Sequence, residues 1–254
     1  MKLQKHVPNA LTCANLLCGC YACILALSGH PAGAMAAVLA AAGFDFVDGL
    51  AARLLNACSP IGKDLDSLAD VVSFGVAPGM MLFDFLDRTQ KTVEWSHPVC
   101  GKLFLAAAFV IPVLSALRLA RFNNDTRQQT SFIGLPVPAH ALFWASLLCS
   151  ISPPAAYSDF VREWFGADWS GRVASLPSVW ILSLAGLLAA GSSLLLVANI
   201  PMFSLKFKSL RLKDNRRQYA LLSLTALWII LFGFGGIALS VVTYVLLSIF
   251  NSRS

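Results

Sequence analysis

The chain has 254 residues, 57% of them hydrophobic and only 13% charged, with a mean hydropathy of +0.70. A water-soluble domain of this size carries about a quarter charged residues, so the composition excludes one and indicates a polytopic membrane protein. The net charge of +6 would suit nucleic acid, but the cations sort by side of the membrane. Fourteen of the nineteen Lys and Arg fall in segments assigned to one face, and five (Arg88, Lys91, Lys102, Arg162 and Arg172) in segments assigned to the other. This is the positive-inside pattern, so anionic membrane lipids are the expected electrostatic partner and nucleic acid is not.

Taken in order, Met1 to Pro8 carries Lys2 and Lys5 and is expected on the cytoplasmic surface, with no cleavable signal peptide evident. A first span follows from about Asn9 to Ser28, and a GHPAG turn leads to a second from about Ala32 to Leu55. The third, about Pro60 to Leu86, contains Gly75, Pro78 and Gly79, which predict a kink. Asp87 to Lys102 reads as an external loop, and the fourth span, about Leu103 to Leu119, is expected to end at Arg118 and Arg121. Phe122 to Val137 is too polar to span and is expected to cover the site described below. A fifth span (about Pro138 to Ala155), an external loop (Tyr157 to Arg172) and a sixth span (about Leu176 to Phe203) precede the basic stretch LKFKSLRLKDNRRQ, read as a cytoplasmic loop against anionic headgroups.

The last apolar run, Tyr219 to Phe250, is too long for one comfortable span, and GFGG at 233 to 236 divides it. The expected architecture is therefore an all-α membrane bundle of about eight helices, with both termini cytoplasmic; one long tilted helix, giving seven, is the alternative. It forms a single membrane domain, with a core over about residues 1–203 and additional hydrophobic helices over about 219–250. The seven cysteines lack the paired spacing of a zinc site, and Cys13, Cys18, Cys20 and Cys23 are expected to be small packing residues.

One stretch contradicts the apolar character around it. DFVDGLAARLLNACSPIGKDLDSLAD holds Asp45, Asp48, Asp66 and Asp70, and unpaired carboxylates in an apolar medium cost several kcal/mol each unless neutralised, paired or metal-bound. On a helix, Asp45 and Asp48 share a face, as do Asp66 and Asp70. The small Gly49 and Ala52 continue the first stripe, and Gly62 lies one turn before Asp66. Ser59-Pro60 reads as an N-cap followed by a proline in the first helical turn, so a second helix should start there. Two helices joined by a short turn would each bring two carboxylates to one site, and such hard oxygen donors select Mg²⁺ or Mn²⁺. Solvated charges on a surface loop are the plain alternative, against which stand the shared helical stripes and the apolar surroundings.

Written as spacing, the stretch is D-x2-D-G-x2-A-R-x8-G-x3-D-x3-D, filled by Asp45, Asp48, Gly49, Ala52, Arg53, Gly62, Asp66 and Asp70. This resembles the signature of the CDP-alcohol phosphotransferase family at every fixed position. LDSLADVVSFGVAPG at 65 to 79, the opening HVPNALTCANLLCG, and the later LRLARFN and FIGLPVPA resemble the integral-membrane phosphatidylserine synthases within that family. The resemblance covers roughly the first 140 residues. It implies a six-helix core, homodimers, and transfer of the phosphatidyl group from CDP-diacylglycerol to L-serine, releasing CMP. It further implies two divalent ions on Asp45, Asp48, Asp66 and Asp70, Asp70 as general base, and Gly49, Ala52, Arg53, Ser59 and Gly62 against the cytidine diphosphate.

Arg118 and Arg121 are candidates for the serine carboxylate or a lipid phosphate, with membrane anchoring as the other reading. Asn9 and Thr12 are candidates for the nucleotide pocket. His6 and His140 read as structural or solvated, and the Asn124-Asp125-Thr126 sequon as a chance match. Acceptors bearing an extra phosphate, glycerol 3-phosphate or inositol phosphate, would call for more cations than Arg118 and Arg121 supply. A membrane prenyltransferase would need a second, distant Asp-rich motif, and a cation transporter would place its acids nearer the bilayer midplane on several helices.

Overall fold

The computed structural model describes residues 6–57, 59–93, 98–124, 132–152, 173, 175–202 and 215–251. Helices α1 (Val7–Leu27) and α2 (Pro31–Leu54) each carry a proline in the first turn, where a missing N–H breaks no helical bond, and they pack side by side. Next, α3 (Pro60–Asp70), a six-residue π segment (Val71–Val76) and α4 (Ala77–Gln90) run on as one 31-residue helical stretch. Helix α5 (Pro98–Ala106), a 3₁₀ turn (Ala107–Phe109) and α6 (Val110–Asn124) form another. The remaining helices are α7 (Val137–Ile151), α8 (Ser178–Val197), α9 (Arg216–Phe232) and α10 (Gly235–Asn251).

Five of these stretches are long and apolar enough to cross a membrane, and the apolar helices 137–151, 218–232 and 235–250 are shorter. The chain is thus an all-α polytopic integral membrane protein. Its last apolar run is two helices, as GFGG predicted: Gly233 takes a positive φ of 56° at the end of α9 and its N–H bonds back to Ile229. At 17 residues each, α9 and α10 are about 25 Å long, at the short end of what spans a hydrocarbon core.

Several boundaries differ from expectation. The fourth stretch continues to Asn124, because helix formers Ala120 and Arg121 follow Leu119, so Arg118 lies inside the helix and Arg121 in its last turn. Helix α7 stops at Ile151, since Ser152 precedes Pro153 and takes the extended backbone that a following proline imposes. The irregularity predicted by Gly75, Pro78 and Gly79 takes the form of the π segment. Pro78 has no N–H for the Phe74 carbonyl, and the ladder upstream shifts to wider turns.

Residues 132–136, expected to help cover the acidic site, instead dock on the far end of α8. Phe132–Ile133 (β1) pairs antiparallel with Pro201–Met202 (β2), Gly134 N–H donates to the Ile200 carbonyl at 2.9 Å, and Leu135 N–H to Leu195 at 2.9 Å. Residues 125–131, the whole 157–172 loop, Met1 to Lys5 and positions 205–214 of the basic stretch lie outside the described residues.

The core forms where α1, α2, α4 and α7 meet, around Ala22, Met35, Leu82 and Trp144, while Leu17, Ile24, Leu54, Leu187 and Ile230 face outward where lipid would cover them. His6 is exposed; His140 is buried, with Nε2 3.0 Å from Ser192 Oγ. Of the clustered thiols, all free, Cys18 and Cys23 pack against the core, whereas Cys13 and Cys20 are exposed. Apolar burial adds little inside a bilayer, so helix association depends on small residues that allow close approach. Gly19 is such a point, since a Cβ there would collide with the Ser73 side chain. Gly19→Val is therefore expected to destabilise the fold by about 1–3 kcal/mol, seen as a lower thermal unfolding midpoint of the detergent-purified protein.

Candidate active site

The turn between α2 and α3 is set by local chemistry. Asn56, a residue type that tolerates the left-handed region, sits at φ 47°, and Ala57 N–H closes onto the Ala52 carbonyl at 2.9 Å. Ser59 Oγ then accepts from Gly62 N–H at 3.1 Å, capping α3 ahead of Pro60. The turn folds the two acidic stripes against each other: Asp45, Asp48 and Asp66 each present an oxygen, all within 4.8 Å of one another. Like charges at that spacing in a low-dielectric setting repel strongly, and a cation is the ready remedy. One oxygen of Asp66, Oδ1, is buried without a hydrogen-bond partner. Three carboxylates with a spare buried oxygen fit a divalent ion with oxygen ligands.

Helix α1 supplies the support. Thr12 Oγ1 lies 2.6 Å from Asp48 Oδ2 and 3.1 Å from the Pro8 carbonyl; its single proton goes to the shorter, charge-assisted contact. Asp70, 7% exposed, is outside the three-carboxylate group but feels the charge of Asp45 and Asp66. Its Oδ1 accepts from Asn15 Nδ2 at 3.2 Å.

Beside the carboxylates lies a cavity of about 320 Å³, a size in the range of small-ligand pockets. Pro8, Asn9, Thr12, Asp48, Gly49, Ala52, Arg53, Ala57, Ser59, Gly62, Lys63 and Asp66 line it. All five residues expected against a cytidine diphosphate, and both α1 candidates Asn9 and Thr12, thus share one wall-to-wall space. Arg53 is anchored by its Nε to the Gly49 carbonyl at 2.9 Å, with its two terminal nitrogens beyond that bond. Lys63, absent from the sequence reading, brings a second cation: its Nζ donates to the Asn123 carbonyl at 3.2 Å, and Asn123 Nδ2 donates to Ser67 Oγ at 2.7 Å, joining α6 to the cavity rim.

The two arginines of α6 part company. Arg118 is 7% exposed, packs its guanidinium 4.8 Å over the Phe122 ring and feels the charge of Asp70. Arg121 is exposed and reaches the Val197 carbonyl at 3.4 Å. Asn15 was also missed, although its signal was present: Asn9, Thr12 and Asn15 are polar residues at spacings of three in an apolar span, one stripe that faces α2 and α3.

A multi-helix membrane protein with a carboxylate cluster beside a ligand-sized cavity defines the class. A family model described as CDP-alcohol phosphatidyltransferase matches residues 5–174, and the chain belongs to that family. It is 34% identical over 203 residues to the CDP-diacylglycerol–serine O-phosphatidyltransferase of Mycobacterium leprae (strain TN), covering 77% of this chain and 57% of that protein. The protein of the same name from Mycobacterium bovis (strain ATCC BAA-935 / AF2122/97) is 35% identical over 203 residues, 77% of this chain and 60% of its own. That from Bacillus subtilis (strain 168) is 35% identical over 135 residues, 53% of this chain and 71% of its own. The chain therefore spans under two thirds of the length of the mycobacterial relatives.

If the Thr12 hydroxyl orients Asp48 for a metal ion, Thr12→Val should weaken Mg²⁺ or Mn²⁺ binding by about 10–100-fold. Calorimetric titration of the purified protein with each metal checks this, and an unchanged affinity would exclude the role.

Proposed function

We propose that this protein transfers the phosphatidyl group of CDP-diacylglycerol to the hydroxyl of L-serine, giving phosphatidylserine and CMP. The observation that carries the reading is the cavity itself: the residues of the family signature that would touch a cytidine diphosphate line it, next to three converging carboxylates. The activity named for the mycobacterial and Bacillus relatives supports serine as acceptor.

In this reading the cytidine end of the donor enters between α1, α2 and α3, where Gly49, Ala52 and Gly62 leave room for backbone contact. Arg53 and Lys63 face the phosphates from two sides, the first with a fork suited to bidentate contact and the second as a point charge. Asp45, Asp48, Asp66 and Asp70 would hold two divalent ions, which when bound neutralise the diphosphate and favour its cleavage. Asp70 takes the proton of the serine hydroxyl as its oxygen attacks the β-phosphorus. The new O–P bond forms as the bond from that phosphorus to the oxygen bridging it to CMP breaks, and CMP leaves with the electron pair. Arg118, a buried cation on the Asp70 side, receives the serine carboxylate. Arg121, turned toward Val197, is assigned to the lipid surface instead.

The same reading puts the active site and both termini on the cytoplasmic face, from the Lys and Arg distribution, with the basic stretch 206–217 on anionic lipid. It treats the chain as one membrane domain that pairs as a homodimer.

Purified protein given CDP-diacylglycerol should release CMP with L-serine plus Mg²⁺ or Mn²⁺, and chelation with EDTA should stop it. CMP release with glycerol 3-phosphate or inositol phosphate but not serine would overturn the acceptor assignment. Asp70→Asn should lower turnover by at least about 100-fold without shifting the thermal midpoint downward. Arg118→Met should raise KM for serine while leaving KM for CDP-diacylglycerol within about twofold; a rise in both would remove Arg118 from the acceptor site.

A further inference from the structure

Asn15 sits at the centre of an apolar helix with no exposed surface. Three features surround it. Its Nδ2 donates to Asp70 Oδ1 at 3.2 Å, its backbone carbonyl accepts from Ser73 Oγ at 2.9 Å, and its Oδ1 is buried with no hydrogen-bond partner. The orientation follows from the chemistry of the partner: a carboxylate only accepts, so the amide turns its NH₂ to Asp70 and its oxygen elsewhere. Close packing of Gly19 against Ser73 locks this stretch of α1 onto the turn that follows Asp70. A buried amide oxygen is costly to leave without a donor, and none of the described residues provides one.

L-Serine carries its ammonium on the carbon next to the one that bears its hydroxyl. When Asp70 holds the hydroxyl, three N–H donors therefore arrive one carbon away, beside the residue that grips Asp70. We propose that Asn15 positions Asp70 and selects a 1,2-amino alcohol as acceptor. Its NH₂ occupies one oxygen of Asp70, so that the other faces the incoming hydroxyl, and its Oδ1 accepts from the acceptor's ammonium. Arg118 and Asn15 then bracket Asp70 with the two groups a zwitterionic acceptor needs, a cation for the carboxylate and a neutral oxygen for the ammonium. The inference rests on Asp70 being the base and on serine being the acceptor.

The two functions of the amide separate in two variants of the full chain, assayed by CMP release with both substrates varied. Asn15→Ala removes both, and should raise KM for L-serine about 10-fold or more and lower kcat about 10–100-fold, with KM for CDP-diacylglycerol within twofold. Asn15→Asp keeps an accepting oxygen at nearly the same volume and removes the donor to Asp70. It should keep KM for serine within threefold of wild type while lowering kcat to a similar degree. An Asn15→Ala protein whose KM for serine is unchanged, or rises together with that for CDP-diacylglycerol, would overturn the proposal. Should the alanine variant not fold, an Asn15→Asp protein with a raised KM for serine or an unaltered kcat would overturn it equally. A wild type that releases CMP with another acceptor and none with L-serine fails the substrate reading first, and this inference with it.

Discussion

Everything in this protein turns on holding four aspartates, two buried and two half-buried, close together in a largely apolar bundle. Asp45, Asp48 and Asp66 converge to within 4.8 Å and Asp70 sits just beyond them. The surrounding protein meets part of that demand with hydroxyl and amide donors from α1. It leaves part of it open, as the unpartnered Asp66 oxygen shows. A site that is only partly satisfied by its own chain has a place for a cation, and the cavity lined by Arg53 and Lys63 lies beside it.

The division of labour among helices follows from this. Helices α2 and α3 carry the acids, and α1 lies along both to supply Thr12 and Asn15. Helix α6 closes the far side, tied to the rim through Asn123, Ser67 and Lys63, and presents Arg118 inward over Phe122. Helices α8, α9 and α10 lie beyond the region matched by the family model, yet Tyr244 of α10 lies near Arg118.

Much of the fold was legible because membrane spans announce themselves by apolar length, and the acidic stretch because its residues violate that pattern. Ser59-Pro60 marked the start of α3 through capping chemistry that acts within four residues. What could not be read was anything decided between helices. Arg118 and Arg121 share a stripe by spacing, yet one turns inward and one toward Val197, because α6 continues past both and its neighbours differ on either side. Asn15 gave a periodic signal that becomes meaningful only when α1 is known to face Asp70. Lys63 falls at a position the signature leaves free, so only the cavity reveals it. The Phe132–Met202 pairing joins segments about seventy residues apart, beyond the reach of local pattern.

The π segment at Val71–Val76 fixes how two functions share one helix. Upstream of it the helix turns Asp66 and Asp70 toward α1 and α2; downstream, α4 packs against α7 and the core. A π turn accommodates what amounts to one extra residue, so a regular α ladder over the same residues would rotate the acids by about 100° relative to α4. The wide turns of this short stretch set the angle between the chemical face and the packing face. Regularising the ladder at this length would separate the two faces even though every named side chain remained present.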